Sequence, residues 1–119
     1  MAFQIRDDIE NIMLDQGKTG KPAGNDILDG IITLPLIYAI KENPQIKENL
    51  KYIYKKKMNY QCYELFTILE LVKKTSGIQK SKDLIQKYAD RGLKYLSPLK
   101  NSRYKEIFTD LINELKAEI

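Results

Sequence analysis

Residues 3–11 read FQIRDDIEN and residues 17–40 read GKTGKPAGNDILDGIITLPLIYAI. The first block sets Phe3, Ile9, Ile12 and Met13 among acids at helix-like spacing, and no glycine or proline falls between residues 2 and 14, so a helix is predicted there. On that helix Gln4, Asp7 and Asn11 stand at i, i+3 and i+7 and share a face, with Asp8 beside it. The chain then changes character. Four of its six glycines (Gly17, Gly20, Gly24 and Gly30) and Pro22 lie between Asp15 and Gly30, which predicts a loop. Lys18 and Lys21 sit among those glycines, where backbone can approach an anion closely, and Asp26 is placed to orient them.

Paired carboxylates followed by a glycine-rich, lysine-bearing loop suit one task in particular. Magnesium takes oxygen ligands and is usually held by one or two protein carboxylates together with substrate phosphates, and lysines then neutralise the remaining charge. Spacing alone fits surface acids next to an ordinary loop equally well, since a double aspartate and a GK dipeptide are both common.

Beyond the quoted blocks the chain reads as helices throughout. Thr33 is a candidate cap with Pro35 in the first turn that follows, where a missing N–H costs little, and Pro44 ends that helix by disfavouring helical geometry at Asn43. Asn43 and Pro44 open the next helix, whose stripe is Ile46, Leu50 and Ile53 and which fades into Lys55, Lys56 and Lys57. From residue 59 to 75 apolar side chains cover most of the helical circumference, which predicts a central helix. Ser76 with Gln79 forms a capping-box pattern for a helix through Leu84, Ile85, Tyr88, Ala89 and Leu96 that stops before Pro98. A last helix after Ser102 carries Tyr104, Ile107, Phe108, Leu111, Ile112 and Leu115, the cleanest helical period of the chain. No strand pattern, internal repeat or low-complexity tract occurs. The fold class is all-α.

Composition bounds the function. The 119 residues suffice for one domain, and 43% hydrophobic with 30% charged residues is the composition of a chain that folds. The longest apolar stretch, residues 31–40, is too short to span a bilayer, and the early acids Asp7, Asp8 and Glu10 do not fit a secretion signal, so a cytoplasmic location is expected. The lone Cys62 forms no internal disulfide, and without histidine neither a His/Cys zinc site nor histidine acid–base chemistry is possible. A net charge of +4 is modest, and the lysine run at 55–57 reads first as a solvated helix end, so nucleic acid is not an expected partner.

The two quoted blocks, with their spacing, resemble the second aspartate-rich region of trans-isoprenyl (polyprenyl) diphosphate synthases, where the pattern reads FQxxDDxxD, a short acidic loop, then GKPxGxDLxxGKxTLPxIxAL. The later helices are similar to that family's C-terminal helices in length and pattern. The resemblance implies a partial helical bundle of the isoprenoid synthase type, with residues 1–119 as the C-terminal part of a polyprenyl synthetase domain, a diphosphate half-site at 3–31 and C-terminal helices at 33–119. It implies a magnesium-dependent prenyltransferase of isoprenoid biosynthesis that joins isopentenyl diphosphate to an allylic diphosphate by ionising the allylic group. By this likeness Asp7 would bind Mg2+ directly, Asp8 would assist through water or hydrogen bonds, and Asn11 would complete the metal set. Gln4 would line the pocket, and Lys21, helped by Lys18, would contact the diphosphate.

Two residues depart from the pattern. Asn11 stands where its third aspartate belongs, and Ile31 where its lysine of GKxTLP belongs. At about 4 Å and an effective dielectric near 20, each lost charge pair is worth up to a few kcal/mol before screening. The family's first aspartate-rich motif has no counterpart in these residues, which implies a fragment, a truncated reading frame or a degenerate paralogue that does not catalyse the condensation alone. The alternative is a non-catalytic helical subunit or binding module derived from the family. The expected partner is a missing N-terminal half or a second copy, the copies pairing through the 59–75 helix and the first helix. A compact monomer, its last helix folded back through Phe108, Leu111 and Leu115, is the competing arrangement.

Overall fold

The computed structural model describes residues 1–13, 24–56 and 62–117. Among these are seven helices: α1 (Ala2–Met13), α2 (Asn25–Leu28), α3 (Leu34–Glu42), α4 (Gln45–Lys56), α5 (Cys62–Lys74), α6 (Gly77–Leu96) and α7 (Arg103–Ala117). No strand occurs among the described residues.

The 20-residue α6 is the spine, packing against α1, α3, α5 and α7. Its buried line of Gly77, Ser81, Ile85 and Ala89 repeats every four residues and is mostly small, which lets neighbouring helices come close. The approach is tightest at Gly77, where an added Cβ would lie 2.7 Å from the carbonyl oxygen of Pro35 and 3.1 Å from the amide nitrogen of Ala39. The first turns of α3 and α6 therefore lie backbone against backbone. Buried Ser81 spends its hydroxyl locally, donating to the Gly77 carbonyl at 2.8 Å.

Two apolar clusters result. The larger joins Ile12 of α1 and Ile27 of α2 to Leu36 and Ala39 of α3, to the stripe Ile46, Leu50 and Ile53 of α4, and to Leu65, Ile68, Leu69 and Val72 of α5. The smaller joins Ile5 and Ile9 of α1 to Ile85 of α6 and Leu115 of α7. Helix α1 thus belongs to both, one end in each.

Several local expectations hold as written. Pro35 is buried in the first turn of α3, and the Asn43 carboxamide oxygen caps α4 by accepting the Gln45 N–H at 3.2 Å. Others are corrected. Ser76 and Gln79 form no capping box: the Ser76 N–H and hydroxyl both donate to Glu42 Oε2, at 2.8 and 2.6 Å, and Gln79 donates to Asp83 instead. A carboxylate already at the end of α3 is the stronger acceptor for those two donors. Thr33 makes no side-chain cap bond. Helix α5 is not apolar all round in effect, because Tyr63 and Phe66 face solvent while only one side enters the core. The stretch expected as loop from Asp15 to Gly30 ends in a helical turn, α2, with residues 14–23 outside the described part.

The helices spread over 56 × 30 × 19 Å with a radius of gyration of 17.1 Å. A compact chain of this length has about 13.5 Å. A thickness of 19 Å is two helix diameters, so the molecule is a slab two helices deep. Helix α7 lies along α6, held by Lys116 Nζ on Asp90 Oδ1 at 2.7 Å and by Lys105, whose Nζ donates to the carbonyls of Ser97 and Leu99 and to Asn101 Oδ1. A lysine at those carbonyls also complements the negative end of α6. Instead of folding back through Phe108 and Leu111, α7 reaches the core mainly through Leu115.

Candidate diphosphate and metal site

Helix α1 buries Ile5, Ile9 and Ile12, and this fixes which of its polar residues remain at the surface. Asp7 points out, its side chain 59% exposed, and Arg6 Nη2 lies 3.4 Å from its Oδ1. The Arg6 guanidinium is shared: it also stacks 5.2 Å from the Phe3 ring centroid and reaches Glu10 at 3.8 Å. Asp8, one residue on, is turned inward and only 8% exposed. Gln4 Nε2 donates to Asp8 Oδ1 at 3.0 Å, one helical turn apart.

The Asp8 carboxyl is held above the ordinary aspartate range, chiefly because burial penalises its charged form; the Gln4 hydrogen bond opposes this, and the nearby charges of Asp26 and Asp7 add to it. Asp26 sits at the start of α2, so three carboxylates from two elements share one neighbourhood. The lysines that Asp26 is expected to orient lie outside the described residues; among those described, Asp26 lies near Asp8.

Asn11 makes this junction. Its backbone carbonyl accepts the Gly24 N–H at 2.7 Å, and its side-chain Oδ1 accepts the Asp26 N–H at 3.2 Å. One residue of α1 thereby fastens both the N-cap and the second residue of α2. Gly24 has φ 79°, and a Cβ there would stand 3.1 Å from Leu65 Cδ1 and 3.3 Å from both terminal methyls of Leu69, so this left-handed turn against α5 requires glycine. Tyr54 of α4 secures the other side of α2, its hydroxyl donating to the Ile27 carbonyl at 2.9 Å, and its burial raises the phenol pKa.

The structure therefore brings Gln4, Asp7, Asp8, Asn11 and Asp26 together. Lys18 and Lys21 lie outside the described residues. Ile31, in the lysine position of the resemblance, is 49% exposed. Tyr54 was not legible as part of this region, because its partner lies 27 residues away and a tyrosine in a helix carries no signal for such a bond.

All polar donors offered to a cation here are oxygens, the set a hard divalent ion takes. Among the described residues no three acidic, cysteine or histidine side chains converge closely enough to enclose a metal by themselves. One exposed carboxylate, with a second buried beside it, is a donor set that phosphate oxygens complete, and Mg2+ fits it. No helix of the described residues is long and apolar enough to cross a membrane.

Seven helices, with no strand among the described residues, define the class of the fold: an all-α protein. The sequence model of the polyprenyl synthetase family matches residues 1–72, and the chain belongs to that family. Component 2 of the heptaprenyl diphosphate synthase of Bacillus subtilis is 37% identical over 103 residues, covering 87% of this chain and 28% of that protein. The chloroplastic solanesyl diphosphate synthase 2 of Arabidopsis thaliana is 30% identical over 112 residues, 94% of this chain and 26% of its own length. Among solved structures, heptaprenyl diphosphate synthase from Staphylococcus aureus superposes with a TM-score of 0.85 at 27% identity, covering 98% of this chain and 36% of that one. Geranylgeranyl pyrophosphate synthase from Corynebacterium glutamicum, complexed with calcium and isoprenyl diphosphate, gives a TM-score of 0.77 at 29% identity, over 99% of this chain and 36% of that one. The all-helical isoprenoid synthase fold is thus shared along nearly the whole chain. The chain spans about a quarter to a third of the length of the relatives it matches.

Proposed function

We propose that α1 and the α2 turn form the carboxylate side of a Mg2+–diphosphate site, corresponding to the second aspartate-rich region of trans-isoprenyl diphosphate synthases, and that the chain serves a prenyltransferase joining isopentenyl diphosphate to an allylic diphosphate. The observation that carries this reading is the exposed Asp7 beside the buried Asp8, on the segment that the family model matches. The Corynebacterium neighbour, solved with a divalent cation and an isoprenyl diphosphate, supports the ligand class.

Asp7 offers its carboxylate outward as the direct ligand, with Arg6 holding it from one side. Asp8 is oriented by Gln4 and acts through its free oxygen or a water, while Asn11 completes the oxygen set and holds Asp26 in place. Lys18 and Lys21 are proposed to contact the diphosphate, on the strength of the motif alone. Bound magnesium would neutralise the diphosphate as a leaving group. The groups that complete the reacting geometry are proposed to lie outside these residues, which span about a quarter to a third of the length of the relatives they match. A cytoplasmic location goes with this reading, on the sequence grounds given above.

A second reading, a non-catalytic helical subunit derived from the family, is favoured by one observation: the Asn11 oxygen is already engaged by the Asp26 amide, and no acid replaces the missing charge at that position.

Calorimetry of the purified chain with inorganic pyrophosphate, with and without MgCl2, separates the two. Magnesium-dependent heat that disappears in Asp7→Ala is expected. Absence of binding, or equal binding by Asp7→Ala, would overturn the site and leave the non-catalytic reading.

A further inference from the structure

Charge is unevenly spread along the chain. Between Lys73 and Lys105 stand ten lysines and arginines and only two acids, Asp83 and Asp90, a surplus of eight positive charges where the whole chain has four. Both acids are engaged: Asp90 is held by Lys116 at 2.7 Å, and Asp83 accepts from Gln79 at 2.9 Å.

Helix α6 sorts the basic residues onto one side. Its buried line runs through Gly77, Ser81, Ile85 and Ala89, and Lys80, Lys87, Arg91 and Lys94 stand exposed at i, i+7, i+11 and i+14, away from that line. At about 100° per residue these four fall within about 60° around the helix and about 21 Å along it, a straight basic stripe. Lys80 lies 6.0 Å from the Tyr38 ring centroid, and none of the four makes an ion pair among the described residues. The stripe ends where apolar side chains reach the surface. Tyr95, one turn after Arg91, is 77% exposed, and Leu99, in the turn after α6, is 55% exposed, with exposed Lys100 next to it.

In a chain that spans about a third of the fold it matches, an open apolar face does not show what covers it, but an unpaired basic face carries more. Any further helix can cover apolar side chains, whereas lysine and arginine are almost never fully buried without an acid to pair with. This side of α6 therefore belongs to water or to an anionic partner. A straight stripe matches a flat sheet of phosphates, leucine beside lysines fits the acyl chains beneath them, and tyrosine is enriched at that boundary. Nucleic acid is the poorer match: the aromatic beside the middle of the stripe, Tyr88, is packed on the core, so bases have no row of rings to stack on.

We propose that the outer side of α6 and the turn that follows it form a docking surface for an anionic phospholipid membrane, with Lys80, Lys87, Arg91, Lys94 and Lys100 at the headgroups and Tyr95 and Leu99 at the interface. The attachment is peripheral and requires no spanning helix. It is independent of the diphosphate reading.

Vesicle co-sedimentation of the 119-residue chain tests it. Binding is expected to phosphatidylcholine vesicles containing about 30% phosphatidylglycerol at about 0.1 M salt, with none to phosphatidylcholine alone and release at about 0.5 M salt. Each basic residue at an anionic surface is worth about fivefold in binding, so Lys87→Glu combined with Lys94→Glu is expected to weaken it about twenty-fivefold or more, with circular dichroism unchanged. Leu99→Asp is expected to weaken it about tenfold. Lys47→Glu combined with Lys51→Glu, the same charge change at exposed positions of α4, is expected to stay within about threefold of the parent. Equal loss in that control, equal binding to uncharged vesicles, or no binding to the anionic ones overturns the proposal. So does binding to polyuridylate without binding to vesicles, which would assign the stripe to nucleic acid.

Discussion

Replacing Gly77 by alanine should destabilise the chain, although alanine is the better helix former. In an open helix the exchange would add up to about 1 kcal/mol. Here the new methyl would meet the Pro35 carbonyl oxygen at 2.7 Å, the Ala39 nitrogen at 3.1 Å and Thr75 Oγ1 at 3.2 Å. The first two are backbone atoms of α3 and cannot turn aside, so α3 must move bodily from α6, along the line where Pro35, Leu36 and Ala39 are buried. Overpacking of this kind costs about 1–3 kcal/mol, which leaves a net loss of about 1–2 kcal/mol. With a urea slope of about 1.5 kcal/mol per molar, the unfolding midpoint should fall by about 1 M. Gly92→Ala is the matched control. Its methyl meets only the terminal Cδ1 of Ile112, at 3.0 Å, with the next atom at 3.9 Å, so a small side-chain adjustment accommodates it and the helix gain of about 0.5–1 kcal/mol survives. A Gly77→Ala chain as stable as the parent would refute the close-crossing argument, and equal destabilisation by both variants would show that propensity and packing have been apportioned wrongly.

Two further outcomes can be checked by titration and melting. Asp8 has a raised pKa in the fold, so its neutral form favours folding: that stability is full below the unfolded aspartate pKa of about 3.9 and is lost as pH rises through the folded value. In magnesium-free buffer Asp8→Asn should therefore melt higher than the parent at neutral pH, with the gap closing in acid; a parent that melts higher at neutral pH would contradict the burial argument. Tyr54→Phe removes the donor to the Ile27 carbonyl and should cost about 1 kcal/mol by chemical denaturation while weakening magnesium-dependent pyrophosphate binding through loss of α2 placement. Unchanged stability would show that water replaces the hydroxyl.

Local rules carried the sequence a long way. The position of α1, the buried stripe Ile46, Leu50 and Ile53, the proline in the first turn of α3 and the asparagine cap of α4 all follow from interactions within a few residues, which periodicity and backbone geometry express directly. The motif likewise placed Asp7 and Asp8 side by side on one helix.

What the tertiary structure decided are the contacts between residues far apart in the chain. The Asn11 bond to the Asp26 amide, the Tyr54 bond to Ile27 and the Glu42 bonds to Ser76 join positions 15, 27 and 34 residues apart. Each choice of partner was open in sequence, because a polar side chain states what it can bond and not what will be near it. The same limit explains α7. Its period announced an apolar face with certainty, but which neighbour covers that face depends on where the helix docks. Lys105 and Lys116 fix α7 along α6 so that Leu115 enters the core and Phe108 remains outside.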